Sequence, residues 1–177
     1  MVKSIGKFFF LIFLFLAMFL FFLPKENLYF FAEKELAKKG VVISKEEVKD
    51  KGFRFEMHHA HLSVSSIESA VVSDLSLSLY LFYNKLHIDS IYLASSLKSF
   101  LPLAIKEVDV IYSVLNPLAV EIETKGDFGK AKGDFSLVDK KLTIILQPSK
   151  LMRQKYRGTL RNFKKLKNGE YSYVKSF

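Results

Sequence analysis

The chain has 177 residues, a formal net charge of +9 and no cysteine. The lack of cysteine excludes disulfides and lipoprotein acylation. About 150 residues follow the first apolar segment, enough for one domain with a single core and too few for two.

An apolar segment follows Lys3 and Lys7 at the start of the chain. The run from Phe8 to Leu23 contains sixteen uninterrupted apolar residues. As a helix it spans about 24 Å, slightly less than the roughly 30 Å hydrocarbon core, and Lys7 can snorkel toward the headgroups. A cleaved secretory signal is the alternative, but no small-x-small cleavage site follows. We therefore expect residues 1–24 to be a short cytoplasmic stub and a retained, single-pass transmembrane signal anchor, with the remainder exported.

The end of the chain is strongly basic. From Lys150 to Phe177 nine Lys or Arg residues face only Glu170, a net charge of 9 − 1 = +8. Export excludes nucleic acid as the partner, which leaves anionic lipid headgroups, acidic glycolipid or an acidic protein surface, or else a solvated face. The residues of this possible anionic-partner patch are Lys150, Arg153, Lys155, Arg157, Arg161, Lys164, Lys165 and Lys167.

The segment after Pro24 is predicted to be a short helix. Apolar residues recur at helical spacing from Lys25 to Lys39, and Gly40 is placed to end the helix. We expect residues 25–40 to form a juxtamembrane amphipathic helix that lies on the bilayer or covers one end of the following domain.

From Val41 the apolar pattern changes to the period of two that is typical of strands. It is clearest from Leu75 to Tyr83, with a turn expected at Asn84-Lys85 and a partner strand from Leu86 to Leu93. The leucines of one face could contact lipid: Leu75, Leu77, Leu79 and Leu81.

Further strands are predicted along the rest of the chain, joined by short turns. They cover residues 108–114, 118–124, 132–138, 142–146 and 170–177, with a helical turn near 148–156. Residues 41–177 are therefore expected to form a mainly β domain, a curved antiparallel meander of seven to nine strands with one apolar face. Gly126, Gly129 and Gly133 favour curling.

Three clustered histidines suggest a metal site as one alternative. His59 and His61 would share a strand face, and His87 or Asp89 could complete a site if their strand were adjacent. Exposed strand histidines are the other interpretation, because the alternation slips near His58 to His61. We expect no metal.

No pair of carboxylates, nucleophile elbow or phosphate loop is present in the sequence. We therefore expect a protein without enzymatic activity or cofactor.

The C-terminal half resembles the bacterial type II secretion system protein N family of the AsmA-like group. The resemblance depends on the strand from Asn116 to Ile122, Lys125-Gly126-Asp127-Phe128-Gly129, Gly133 to Leu137, Leu142 to Leu146, and Gly169-Glu170-Tyr171-Ser172-Tyr173. It covers about residues 100–177. It implies a bacterial inner-membrane protein with a curved periplasmic sheet, associated with export machinery and other envelope proteins.

Two functional hypotheses follow. The first is a periplasmic scaffold or accessory protein of secretion or envelope assembly. The alternative is a lipid-binding or lipid-transfer module, in which the apolar groove takes acyl chains and the basic end contacts anionic headgroups of membrane lipids.

Overall fold

The computed structural model describes residues 2–97, 102 and 104–177. Two helices open the chain, α1 at Val2–Phe22 and α2 at Lys25–Lys38. Within the described residues, eleven strands and three short helical segments follow. The strands are β1 Val41–Ser44, β2 Glu47–Asp50, β3 Arg54–Val64, β4 Ile67–Leu79, β5 Tyr83–Leu93, β6 Ala104–Ser113, β7 Ala119–Gly126, β8 Gly129–Ser136, β9 Lys141–Pro148, β10 Lys164–Lys165 and β11 Tyr171–Ser176. The helical segments are a 3₁₀ turn at Ser95–Leu97, α3 at Lys150–Lys155 and α4 at Arg157–Leu160.

All eleven strands belong to one curved, open antiparallel sheet. Its order is β1-β3-β4-β5-β6-β7-β8-β9-β11-β10, and β2 also pairs with β3. Short turns join most consecutive strands, so the sheet is largely the meander that the sequence predicts. The strand number was underestimated, because the two four-residue strands before β3 and the two-residue β10 carry too few residues for a periodic signal.

One predicted turn was wrong. Asn84 and Lys85 lie inside β5, and the chain reverses at Tyr80 to Phe82. The backbone N–H of Tyr80 donates to the Asn84 side chain at 3.1 Å, which closes this reversal. Leu81 is therefore a turn residue and not part of the β4 leucine face.

A line of irregular backbone crosses the sheet from β3 to β6. His59, Ser73, Ser90 and Lys106 occupy neighbouring places on successive strands, and none of them pairs in the ladders that join β3 to β6. His59 and Ser90 have left-handed φ values of 56° and 57°. We call these four residues the crease, and it confirms the irregularity predicted near His58 to His61.

Gly129 allows the tight connection between β7 and β8. Its φ is +119°, and a Cβ there would collide with the Gln147 carbonyl on β9. The two-residue reversal at Asp127 and Phe128 therefore joins β7 directly to β8, and the first residue of β8 lies close against β9.

Candidate functional site

In-register side chains form a continuous apolar surface across the sheet. Residues directly opposite each other on paired strands point to the same face, so the ladders can be followed from β3 to β11. One row consists of Met57, Leu75, Ile88, Val108, Thr124, Ala131, Leu146 and Tyr171. The next row consists of Phe55, Leu77, Leu86, Val110, Ile122, Gly133, Ile144 and Tyr173. We call this surface the apolar groove.

Helix α2 covers the groove at its N-terminal end. The ring of Tyr29 lies on Phe55, with centroids 5.5 Å apart, and a buried cluster of Phe55, Met57, Ala60 and Val72 lies beneath. An apolar cavity of about 280 Å³ remains between α2 and β3 to β5. The structure places Leu75, Leu77 and Leu79, three of the four predicted lipid-facing leucines, in its wall.

Helices α3 and α4 cover the opposite end of the groove. The hydroxyl of Ser149 caps α3 by accepting from the Met152 backbone N–H at 3.1 Å, and Met152 and Leu160 are buried against Ala131 and Leu146. A second cavity of about 180 Å³ lies here, with an apolar wall that reaches from β5 and β6 to α4. The groove thus has a helical cover with an apolar cavity at each end.

Among the described residues, no helix covers the middle of the groove. Strands β5, β6 and β7 are described in full, and no side chain on them is buried. Ile88, Val108, Val110 and Ile122 remain partly accessible. From β4 to β8 the ladder advances four strand spacings, or about 19 Å. The uncovered middle is therefore slightly longer than one leaflet of hydrocarbon, about 15 Å.

A network of ion pairs occupies the other face of the sheet. The Lys85 ammonium lies 2.9 Å from the Asp109 carboxylate and His87 Nδ1 lies 2.6 Å from it, while Lys125 pairs with Glu107 at 2.9 Å. Burial opposes ionisation of Asp109, but hydrogen bonds from His87 and Lys85 outweigh it and hold the pKa of this carboxyl below its usual range. His87, Glu107 and Asp109 could converge on a cation. Two lysines already neutralise these carboxylates, which makes the ion-pair network the better account of the cluster.

The N-terminal histidine cluster does not converge on a site with His87. His58 pairs with Asp74, His61 pairs with Glu68 at 3.0 Å, and His59 lies exposed on the crease. Strand β4 separates β3 from β5, so the adjacency that a metal site with His87 or Asp89 required is absent. Exposed strand histidines are the interpretation that the structure favours.

The basic patch forms a distinct surface at the covered C-terminal end. Its eight cations lie on or beside α3, α4 and β10, and all are exposed. Within the described part of the chain none of them forms an ion pair, unlike Lys85, Lys125 and Lys132 on the polar face. Glu170, the acid in the same C-terminal segment, accepts hydrogen bonds from Gln147 and Asn168 at 2.6 Å, which lower its pKa. The positive field of this surface is therefore not neutralised by the chain itself.

A buried ion pair fixes the start of the sheet domain to α1. The Lys25 side chain is 2% exposed, and its ammonium lies 3.0 Å from the Leu23 carbonyl and 3.3 Å from the Asp50 carboxylate. Asp50 also accepts from the backbone N–H groups of Lys25 and Gly52, at 3.0 Å each. Phe21 lies edge-on to Phe53 at 5.3 Å, directly beside Gly52. We call Lys25 and Asp50 the junction pair, because they couple the last turn of α1 to β2 and the loop before β3.

The hydroxyl of Tyr29 is the unusual polar group in the groove. It is buried and forms no hydrogen bond of regular geometry with a described residue, although the Glu46 carboxylate lies close enough to interact with it. Burial, followed by the nearby Glu46 and Glu33 carboxylates, raises the pKa of Tyr29 above its usual range. Burial and Glu46 likewise raise the pKa of Glu33. This end of the cavity therefore disfavours further negative charge.

Sequence reasoning missed the open middle of the groove and the junction pair. The alternation of Val108, Val110 and Ile122 contains the signal for the groove, but only the fold shows that no helix among the described residues covers them. Lys25 and Asp50 are 25 residues apart, and no local pattern connects them.

One helix in the described chain is long and apolar enough to cross a membrane, over Ile5–Phe22, with a mean hydropathy of 2.6. The fold and the groove thus define a chain with one candidate membrane-spanning helix and an open, apolar antiparallel sheet. Comparisons with models of known families, with curated proteins and with solved structures find no match.

Proposed function

We propose that this protein is a membrane-anchored lipid-binding protein whose apolar groove takes acyl chains. The observation that carries the proposal is the uncovered middle of the groove, which continues into an apolar cavity at each end. Large apolar surfaces left open on a folded domain mark binding sites, and elongated, purely apolar ones suit hydrocarbon. No catalytic arrangement is needed for this activity.

The location of the groove supports membrane lipid as the ligand. The junction pair fixes α1 beside α2, and Lys25, Leu28 and Tyr29 line the adjacent cavity. If α1 is a retained anchor, as its sequence predicts, this end of the groove lies at the bilayer surface where acyl chains are available. Lys3 and Lys7, near the N-terminal end of α1, favour a periplasmic location for the domain.

Adjacent residues on β6 offer a matched test, because Val110 faces the groove and Ile111 faces the polar side. The full chain is placed in nanodiscs that contain a phospholipid with a photoactivatable group on its acyl chain, and crosslinks are mapped by mass spectrometry. Crosslinks are expected on groove residues of β5 to β7 as well as on α1. Val110→Asp should reduce the β5 to β7 crosslinks at least tenfold, whereas Ile111→Asp should leave them unchanged.

Two outcomes contradict the proposal. One is crosslinking confined to α1 in the wild-type chain while α1 itself is labelled efficiently. The other is an equal effect of Val110→Asp and Ile111→Asp when circular dichroism shows both variants folded.

A scaffold in secretion or envelope assembly is the second candidate, and the open edge of β11 favours it. β10 pairs only with Tyr171 and Ser172, so among the described residues the outer edge from Tyr173 to Ser176 has no strand partner. An unpaired edge can accept a strand from another protein. Proline at Val174 should abolish co-purification of an envelope protein in mild detergent; a partner that persists with Val174→Pro does not use this edge. The resemblance to protein N remains a prediction.

A further inference from the structure

The basic patch lies at the end of the sheet that is remote from α1. α2 and the junction pair contact β1 to β3, whereas α3 follows β9 and packs on it. Six strand spacings separate β3 from β9, which corresponds to about 29 Å. The patch and the anchor therefore lie toward opposite ends of the sheet.

The patch also differs in kind from the other charged surface of the chain. On the polar face of the sheet, lysines lie within 2.9 Å of carboxylates, so their fields largely cancel. In the patch, eight exposed cations form no ion pair with any described residue. The helices that display most of them hold their apolar sides, Met152 and Leu160, in the covered end of the groove. The cations are thereby held on the outer surface of a short, fixed structure.

We infer that the basic patch is a docking surface for the anionic headgroups of a lipid bilayer, separate from the attachment that α1 provides. Clustered Lys and Arg bind such surfaces because each cation near an anionic bilayer contributes favourable electrostatic energy, and several together give stable attachment. A phosphate-rich surface fits better than a single small anion, because the cations spread over two helices and β10 and do not converge on a cavity. The inference does not require acyl chains in the groove.

The test uses the full chain held by α1 in nanodiscs of neutral phosphatidylcholine. These are mixed with vesicles of phosphatidylcholine alone or of phosphatidylcholine with about 30% phosphatidylglycerol, an anionic lipid content that attracts basic segments. Capture of the vesicles is measured by flotation at 150 mM salt. Capture is expected for the anionic vesicles only and should fall steeply at 500 mM salt.

Four substitutions remove half of the patch: Lys150→Gln, Arg153→Gln, Lys155→Gln and Arg161→Gln. Arg157 is retained because its Nε donates to the Arg153 carbonyl at 3.0 Å and ties α4 to α3. Each lost cation should weaken capture about fivefold, so the quadruple variant should bind anionic vesicles several hundred-fold more weakly. A control with the same net charge replaces lysines elsewhere: Lys51→Gln, Lys125→Gln, Lys130→Gln and Lys132→Gln. It should retain capture within about threefold if location and not total charge matters.

Three results would overturn the inference: no capture of anionic vesicles by the wild-type chain, equal loss in the two quadruple variants, or tight binding of soluble polyglutamate at 150 mM salt without vesicle capture. The last result would assign the patch to an acidic protein. Photocrosslinking of acyl chains to β5 to β7, measured in the same samples, reports on the groove separately. Vesicle capture without those crosslinks would remove the proposed function and leave the docking surface intact.

Discussion

The junction pair provides a sharp test of how the membrane helix is coupled to the sheet. Asp50 accepts hydrogen bonds from the Lys25 ammonium and from two backbone N–H groups, whereas Lys25 is almost fully buried and has one other partner, the Leu23 carbonyl. Replacing Asp50 and replacing Lys25 should therefore lower the free energy of unfolding by different amounts. Asp50→Ala leaves a buried ammonium uncompensated and should lower the free energy of unfolding by about 3–5 kcal/mol.

Lys25→Met should cost less. The methionine fills a similar volume beside an apolar cavity, and the remaining Asp50 carboxylate is 22% exposed, so water can solvate it while it still accepts the two backbone N–H groups. We expect a loss of about 1–2 kcal/mol. Combining Lys25→Met with Asp50→Ala should cost less than the sum of the single changes, because the buried charge has gone.

Guanidinium unfolding of the full chain in a non-ionic detergent, followed by circular dichroism of the sheet, measures these differences. Lys38→Met is the matched control, because Lys38 pairs with Glu35 on the exposed face of α2 and should contribute less than about 1 kcal/mol. The reasoning is refuted if Asp50→Ala unfolds like the wild type, or if Lys25→Met proves the more costly change.

Three further changes test separate parts of the sheet domain. Asp109→Asn should lower the free energy of unfolding by about 1–2 kcal/mol at neutral pH, and this difference should disappear in acid. A carboxyl whose pKa is depressed in the folded state stabilises the fold above its ordinary pKa of 3.8 and loses that contribution as the pH falls through the folded-state pKa. Equal destabilisation in denaturant titrations at pH 7 and pH 2.5 would contradict this. Tyr29→Phe should leave stability unchanged or raise it by up to about 1 kcal/mol, because the buried hydroxyl is unsatisfied, and a clear loss in thermal melts would show a missed partner. Met152→Ala should cost about 2–5 kcal/mol by enlarging the cavity under α3, and a cost below about 1 kcal/mol would show that α3 is not anchored there.

The presence of the main strands and their order along the chain were largely predictable, because the period of two persists through long stretches such as β4 and β6 to β9. The alternation is less informative about where a strand ends. Leu79, Leu81 and Tyr83 continue the pattern without interruption, yet the chain turns at Tyr80 to Phe82, with no Gly or Pro to mark it. The hydrogen bond from Tyr80 to Asn84 and pairing with β5 decide the turn, and these are contacts that periodicity does not contain.

The candidate site was predictable in part for the same reason. Leu75, Leu77 and Leu79 could be assigned to one apolar face from β4 alone, but the groove depends on which strands are neighbours and which are covered. The basic patch could be located from composition. That its cations form no ion pair within the described part of the chain depends on the fold, which directs Glu170 toward Gln147 and Asn168.

The crease explains how a sequence whose alternation changes phase still builds one apolar surface. On β3 the residues that face the apolar cluster have odd numbers before His59, at Phe55 and Met57. After His59 they have even numbers, at Ala60 and Leu62. In a regular strand these two sets would point to opposite faces. The left-handed φ of His59 rotates the chain so that all four residues join one cluster, and Ser90 has the same conformation where β5 changes from Ile88 to Ile91. The polar residues at the crease are thus positions where backbone conformation matters more than side-chain chemistry, and through them the apolar surface extends past β3 to Ile43 at the edge of the sheet.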